Sequence, residues 1–506
     1  MSRINTNVQS LLAQRVLGQN QKGLQQSLER LSTGLRITRG KDDPAGLIAS
    51  ENLRSELKSI NAAVSNAERA DQVVNIAEGG LQEVSSLLTE LQGLITTTAN
   101  SAGLSQSEKE ANQLQIDSIL QTIDRISSAT SFQGTKLLNG NFDYKVEQVA
   151  DGISDYKING AKFNNAALDV NVLVTQSAQQ AGLFLSMGGT SINLGGSNGA
   201  FTLEVSGSLG SRQLTFSSGT TMAQVAAAIG SYSDITGVEA TASSTGVKLE
   251  SSEWGESKFV SVKVVSDGGV TGSNVGVYKM TADDFNSADA STEVAFNHND
   301  AQNGIRDLGQ NIGATINGIA ATANGKTARI NTDFLDVELT LDDTTSTTLG
   351  EVGTGKAFSI TGGGADFQLA GQVDIAGKVS MGIGDVATRK LGDAVTGWLS
   401  SIGAGQDNNL VTGDANAAQQ IVSKAIDEIA SMRGRLGAFQ KNTIGATIRS
   451  LGVAAENTAA AESIIRDADF ATETAQMTRN QILVAASTNV LSLANQSPQS
   501  VLQLLG

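Results

Sequence analysis

At both ends of the chain, apolar residues recur at alternating spacings of three and four. Between the ends that period gives way to simple alternation. A three–four repeat gathers its side chains on one stripe of a helix, and a repeat sustained over many turns needs a partner helix to cover it. Near the front, Leu24, Leu28, Leu31 and Leu35 keep the repeat. Past the segment RGKDDPAG it resumes at Leu53, Leu57, Ile60, Val64 and Ala67, slips in phase at Val74–Ala77, and continues through Leu81, Val84, Leu88, Leu91 and Ile95. Gly40 is expected to stop the first helix, Asp43 to cap the second, and Pro44 to take its first position. The loop 100–108 introduces a third helix with the stripe Ile116, Ile119, Ile123 and Ile126. Near the back, Ala425, Ile429, Met432, Leu436 and Phe439 restore the repeat. Helical signal then runs, with glycine interruptions, to about Asn495, and Pro498 is expected to end it.

The middle has another texture. FTLEVSGSLGSRQLTFSS (201–218) alternates like two strands around a glycine turn, and TMAQVAAAIGSY (221–232) reads as one short helix. GVEATAS, GVKLESS and KFVSVKVVS read as strands, and the texture recurs at 317–343. The fold class expected is α+β: long N- and C-terminal helices packed together as a coiled-coil rod, with a β-rich inserted middle projecting outward. The expected divisions are 1–43, an N-terminal core helix; 44–175, the first part of a rod; 176–404, a β-rich insert of two lobes; 405–455, the rod's returning helix; and 456–506, a C-terminal core helix. Separate helical domains at the two ends are the alternative arrangement.

Composition removes most chemistries. The chain of 506 residues has no Cys and one His, His298, so thiol chemistry, disulfides and a histidine-based zinc motif have no material. Net charge is −16, concentrated in 141–404, where 28 acidic residues face 15 basic ones. An acidic surface argues against nucleic acid. No stretch of eighteen apolar residues suggests a membrane span, and the N-terminus lacks the apolar core of a secretory signal. Gly350 to Lys356 nearly matches a phosphate-binding loop, but position 357 is Ala where the metal-holding hydroxyl should be, so a turn between strands is expected. The pairs Asp42–Asp43, Asp283–Asp284 and Asp342–Asp343 are adjacent and point apart, which suits caps and turns. His298 reads as a solvated loop residue. No catalytic, metal-binding or cofactor-binding residue is assigned, and no enzyme activity, cofactor, small-molecule substrate, nucleic acid or membrane is expected.

The tail is the remaining oddity. From Asn480 to Gly506 no side chain is charged; Leu483, Ala486, Val490 and Leu493 form a helical stripe, and the chain finishes on Leu504 and Leu505 before Gly506. A charge-free apolar terminus of this kind is expected to find burial only between subunits.

LLAQRVLGQNQKGLQQSLERLSTGLRITRGKDDPAGLIASENLRS (11–55) resembles the N-terminal signature of bacterial flagellin, and AAAESIIRDADFATETAQMTRNQILVAASTNVLSLANQSPQSVLQLLG (459–506) resembles its C-terminal signature. GVEATASSTGVKLESS (237–252) is similar to a small motif inserted in some flagellins and hook proteins. The resemblance implies a subunit that polymerises into the flagellar filament for motility, with the hook–filament junction protein as the alternative. It implies termini that are disordered in the monomer and pair on assembly, and a secreted, extracellular location reached by type III export. Implied partners are further copies of the chain, an export chaperone, the filament cap and hook-junction proteins. The implied polymerisation core is Leu24, Leu28, Leu31, Leu35, Leu483, Ala486, Val490, Leu493, Leu504 and Leu505. The rod coiled coil comprises Leu81, Val84, Leu88, Leu91, Ile95, Ile429 and Leu436. On the face that a Toll-like receptor reads in the family, this chain carries Glu90, where recognised members have Arg, together with Leu94 and Gln115. Weak receptor activation is therefore expected.

Overall fold

The computed structural model describes residues 6–100, 103–163, 167–195, 199–281 and 287–505, with side chains to Gln496. Its α-helices are α1 (Val8–Thr33), α2 (Pro44–Thr98), α3 (Gln106–Ala129), α4 (Met222–Gly230), α5 (Ser233–Thr236), α6 (Asn299–Asn303), α7 (Asp343–Thr347), α8 (Ala415–Ala438), α9 (Gly445–Arg466) and α10 (Phe470–Leu505). Long helices thus occupy both ends, and strands fill the middle. The chain divides into two compact units. One comprises 1–74, 367–378 and 437–506; the other comprises 75–366 and 379–436.

The helix boundaries follow local chemistry. α1 ends at Gly34 rather than at Gly40. Gly34 adopts the left-handed conformation (φ 73°), and its N–H returns to the Arg30 carbonyl at 2.8 Å. A residue without Cβ enters that region without strain. Leu35 therefore lies beyond the first helix, in a bridge to Asp467. Asp43 caps α2 by accepting the Gly46 N–H at 2.9 Å, with Pro44 in the first turn. Ser105 and Glu108 close a reciprocal capping box on α3.

The stripe on α2 shows no slip. Ile60, Ala63, Ala67, Ala70, Val74, Ala77, Leu81, Val84, Leu88, Leu91 and Ile95 are all buried and keep the three–four spacing throughout. Alanine carries so little apolar signal that the repeat looks broken where alanines hold the seam, and Val64 stands beside it, half-buried. α8 passes through a π-helical turn, Phe439–Ile444, before α9 begins at Gly445. The break between α9 and α10 falls at 467–469, later than the expected division at 455/456. There Asp469 caps α10 by accepting the Ala471 N–H at 2.9 Å.

Within the second unit, two β lobes form. The first has a five-stranded antiparallel sheet in the order 238–242, 246–251, 182–186, 276–279, 294–295, and a four-stranded one in the order 305–308, 259–266, 201–207, 211–216. Alternate residues such as Phe201, Leu203 and Val205 point into one core with Val225 and Ile229 of α4. The second lobe pairs Ile153–Ala161 with Leu335–Leu341, Tyr144–Glu147 with Phe358–Gly363, and Val172–Gln176 with Gly313–Ile316. Its strands come from both sides of the first lobe, so the first is an insertion within the second. Strand structure consequently begins well before residue 176, where the β-rich region was expected to start.

The helices of this unit are tied by polar contacts around buried stripes. Arg433 on α8 meets Glu78 on α2 at 2.8 Å. Gln113 on α3, itself buried, donates to the Ile402 carbonyl at 3.0 Å and accepts the Leu410 N–H at 2.9 Å. Each of these partners is distant in sequence, so their pairing is a product of the fold.

Candidate assembly interface

α1 and α10 lie antiparallel, and their contact is a heptad seam. On α1 it runs through Ser10, Ala13, Leu17, Asn20, Leu24, Ser27 and Leu31; on α10 through Glu473, Met477, Asn480, Val484, Ser487, Leu491 and Ala494. All of these are buried or half-buried, and every spacing is three or four. Asn20 Nδ2 donates to Ser487 Oγ at 2.8 Å, Ser10 Oγ donates to Asn495 Oδ1 at 2.7 Å, and Asn480 Nδ2 donates to Ser27 Oγ at 3.5 Å. Arg30, in the last turn of α1, pairs with Glu473, in the first turn of α10, at 2.8 Å. Each charge sits at the helix end whose dipole favours it. Beyond the helices, Arg36 N–H donates to the Arg466 carbonyl at 2.7 Å and Ala468 N–H to the Gly34 carbonyl at 2.9 Å, tying the two connecting segments together.

α10 does not stop at Pro498 but continues to Leu505. Proline has no N–H to offer the carbonyl four residues back, that of Ala494. Asn7 Nδ2 supplies the missing donor at 2.7 Å, so the carbonyl is satisfied and the helix runs on.

The sequence-predicted core residues divide in an unexpected way. Leu24 and Leu31 are half-buried in the seam. Leu28 is 47% exposed, and Leu35 is outside the helix. Leu483, Val490 and Leu493 are 38%, 55% and 66% exposed, and Ala486 is exposed beside them. The predicted α10 stripe lies one residue from the seam that pairs the helices. Leu504 and Leu505 end α10 with side chains outside the described residues. Sequence reasoning missed Asn20, Ser27, Asn480 and Ser487, because polar residues were not counted as seam positions. Their signal was a sevenfold spacing: Ala13, Asn20, Ser27 on one helix and Glu473, Asn480, Ser487, Ala494 on the other.

Among the described residues, the large exposed apolar side chains are therefore Val8, Leu11, Leu12, Val16 and Leu28 on α1 and Phe470, Ile482, Leu483, Val490 and Leu493 on α10. Completing their burial would contribute on the order of 5–10 kcal/mol. The rod residues behave otherwise: Leu81, Val84, Leu88, Leu91, Ile95, Ile429 and Leu436 are all fully or almost fully buried. Glu90 and Gln115 are exposed and Leu94 is half-buried.

Among the described residues no group of three or more His, Cys, Asp or Glu could hold a metal ion, and no helix is long and apolar enough to cross a membrane. Gly350–Glu351 is a short strand, the segment 352–357 leads from it to Phe358–Gly363, and Lys356 Nζ donates to Ser359 Oγ at 3.0 Å. His298 caps α6, accepting the Asp300 N–H on Nδ1 at 3.2 Å. Asp342 caps α7 by accepting the Thr345 N–H at 2.6 Å, while Asp283–Asp284 lies outside the described residues.

One charged group in the second unit has a measurable consequence. Burial alone would raise the Asp393 carboxyl. Hydrogen bonds from the Thr396 side chain and N–H, together with the Lys424 ammonium at 2.9 Å, outweigh burial and hold it down to about 2. A depressed carboxylate stabilises the fold above its unfolded value of 3.8, and that contribution is lost as pH falls through about 2. Asp393→Asn should lower the unfolding midpoint at pH 7 by about 2 °C, a modest figure because the site is partly solvated. The gap between variant and parent should close between pH 3.8 and about 2, as followed by circular dichroism.

Paired terminal helices with an uncovered apolar stripe and a β-rich middle define a self-assembling structural protein. Family comparisons agree in detail. The model of the bacterial flagellin N-terminal helical region matches residues 4–143, that of the C-terminal helical region matches 419–505, and the flagellin hook IN motif matches 192–252. Flagellin of Salmonella typhimurium is 29% identical over 539 residues, and Flagellin B of Vibrio anguillarum is 27% identical over 506; each match covers 99% of both chains. The flagellar cap protein FliD (HAP2) of Pseudomonas aeruginosa is similar at 17% identity and a TM-score of 0.25, covering 43% of this chain and 86% of that one. The chain belongs to the bacterial flagellin family. It is a structural subunit of the extracellular flagellar filament, and the hook-junction alternative finds no support among these relatives.

Proposed function

We propose that the chain polymerises through the exposed stripes of its terminal helices, with Leu483, Ala486, Val490 and Leu493 as the intersubunit face of α10. The observation that carries this reading is the exposure of those residues beside a seam that is already filled. A stripe on one copy meeting a different surface on the next is a heterologous contact, which propagates instead of closing. The reading assigns a mechanical role and no catalytic step. Before assembly the same stripe needs cover, and an export chaperone is its proposed occupant; cap and hook-junction proteins are proposed to meet it at the ends of the filament.

The test is truncation. A chain ending at Arg479 loses the charge-free tail while its second unit is untouched. It should give normal β-type circular dichroism and no growth on filament seeds under the electron microscope. Filaments of ordinary length from the truncated chain would refute the reading.

Glu90, Leu94 and Gln115 form the proposed receptor-facing patch of α2 and α3. An acidic group where the family's receptor-recognised members carry Arg should disfavour the complex by ~2–5 kcal/mol if it is desolvated there. In a Toll-like-receptor reporter assay, the parent chain should signal weakly and Glu90→Arg should signal more strongly. Strong signalling by the parent would contradict the assignment.

A further inference from the structure

α10 carries two heptad stripes one residue apart, and over 480–494 the less apolar one faces α1. The inner stripe alternates Met477, Val484 and Leu491 with Glu473, Asn480, Ser487 and Ala494. The outer stripe is apolar at Leu483, Ala486, Val490 and Leu493, and toward the start of the helix it continues through Arg479, Gln476 and Thr472. Over 480–494, burial of apolar area alone would turn the outer stripe inward. The feature that separates the two arrangements is hydrogen bonding. Asn20 opposite Ser487 and Ser27 opposite Asn480 belong to one antiparallel register, because seven residues forward on α1 correspond to seven residues back on α10. Gly23 makes room for the amide: a Cβ there would stand 3.2 Å from Asn480 Nδ2. Ser10 to Asn495, and Asn7 to the Ala494 carbonyl left free by Pro498, extend the polar contacts toward the end of the pair. Rotating α10 by one residue, about 100°, would strip these groups of their partners.

We propose that Asn20 and Asn480 select the rotation and register of the terminal helix pair, and thereby decide which stripe of α10 remains on the outside. A polar residue at a seam position is a known means of fixing register at the expense of stability. The proposal concerns pairing within one chain. It rests on the assembled state, in which the resemblance implies that the terminal segments pair.

The chain has no Cys, so introduced thiols report cleanly. Ser10→Cys with Asn495→Cys places two sulfurs where the native side chains touch at 2.7 Å. In seeded filaments of the full-length chain, mild oxidation should close this link in most molecules, read as a mobility shift on denaturing gels. Adding Asn20→Leu and Asn480→Leu should cut the yield about tenfold, the ratio expected from losing one net hydrogen bond's worth of preference, while the helical circular dichroism signal is kept or raised. An unchanged yield would overturn the proposal, since apolar packing or the Gly34–Ala468 connection would then set the register. Loss of helical signal in the doubly substituted chain would also overturn it, because the amides would be supplying stability and not choice. So would failure of the parent pair to cross-link.

Discussion

A chain carrying Leu483→Asp, Val490→Asp and Leu493→Asp is expected to keep its fold and lose filament growth. All three side chains already face solvent, at 38%, 55% and 66% exposure, so charge there costs the isolated chain little, about 0.5 kcal/mol or less per site. At a subunit contact the balance reverses. Each carboxylate would be desolvated in a segment that has no basic residue from Asn480 to Gly506. An unpaired interfacial charge costs ~2–5 kcal/mol, so three together should slow seeded elongation by more than about a thousandfold. Light scattering with seeds, beside circular dichroism of the unassembled chain, separates the two effects. Growth at the parent rate would eliminate this face as the contact. The same variant should fail to retain an export chaperone in a pull-down, if the chaperone covers the stripe.

Removal of the first β lobe, residues 181–308, is expected to leave a folded chain that still polymerises. The chain enters and leaves that lobe side by side: the Gln179 N–H donates to the Gln310 carbonyl at 2.9 Å, and the Gln310 N–H returns to the Gln179 carbonyl at 2.8 Å. A short glycine link can therefore replace the lobe without moving its neighbours. The cost should be about 1–3 kcal/mol, chiefly because Trp254, packed against the second core, leaves with the deleted segment. A cut from about 180 to 400, which texture alone would recommend, should behave differently. It takes Leu335–Leu341 from Ile153–Ala161 and Phe358–Gly363 from Tyr144–Glu147, stranding Ile158 and Val170 without a core. Soluble expression and thermal unfolding of the two deletions would show the contrast. Equal behaviour would mean that the second lobe does not need strands from both sides of the insertion.

Side-chain period, written into the chain, marks which segments are helical and which extended: Leu81 to Ile95 repeat at three and four, and Leu335 to Leu341 alternate. The paired signatures near the two termini point to the family, and composition leaves no material for thiol chemistry or a histidine-based site. Which of two adjacent stripes on α10 is covered is visible only in the folded chain. Both have helical period, and the choice rests on amides 467 and 453 positions apart in sequence, Asn20 with Ser487 and Asn480 with Ser27. The continuation of α10 through Pro498 is of the same kind, since the donor that satisfies the Ala494 carbonyl is Asn7, at the opposite end of the chain. So is the unbroken seam of α2, where Ala63, Ala67, Ala70 and Ala77 are buried by what packs on them and not by their own hydrophobicity. Local period is a property of neighbours in sequence; the partner of a polar seam residue or a small one is fixed only when distant segments meet, and no local pattern encodes it.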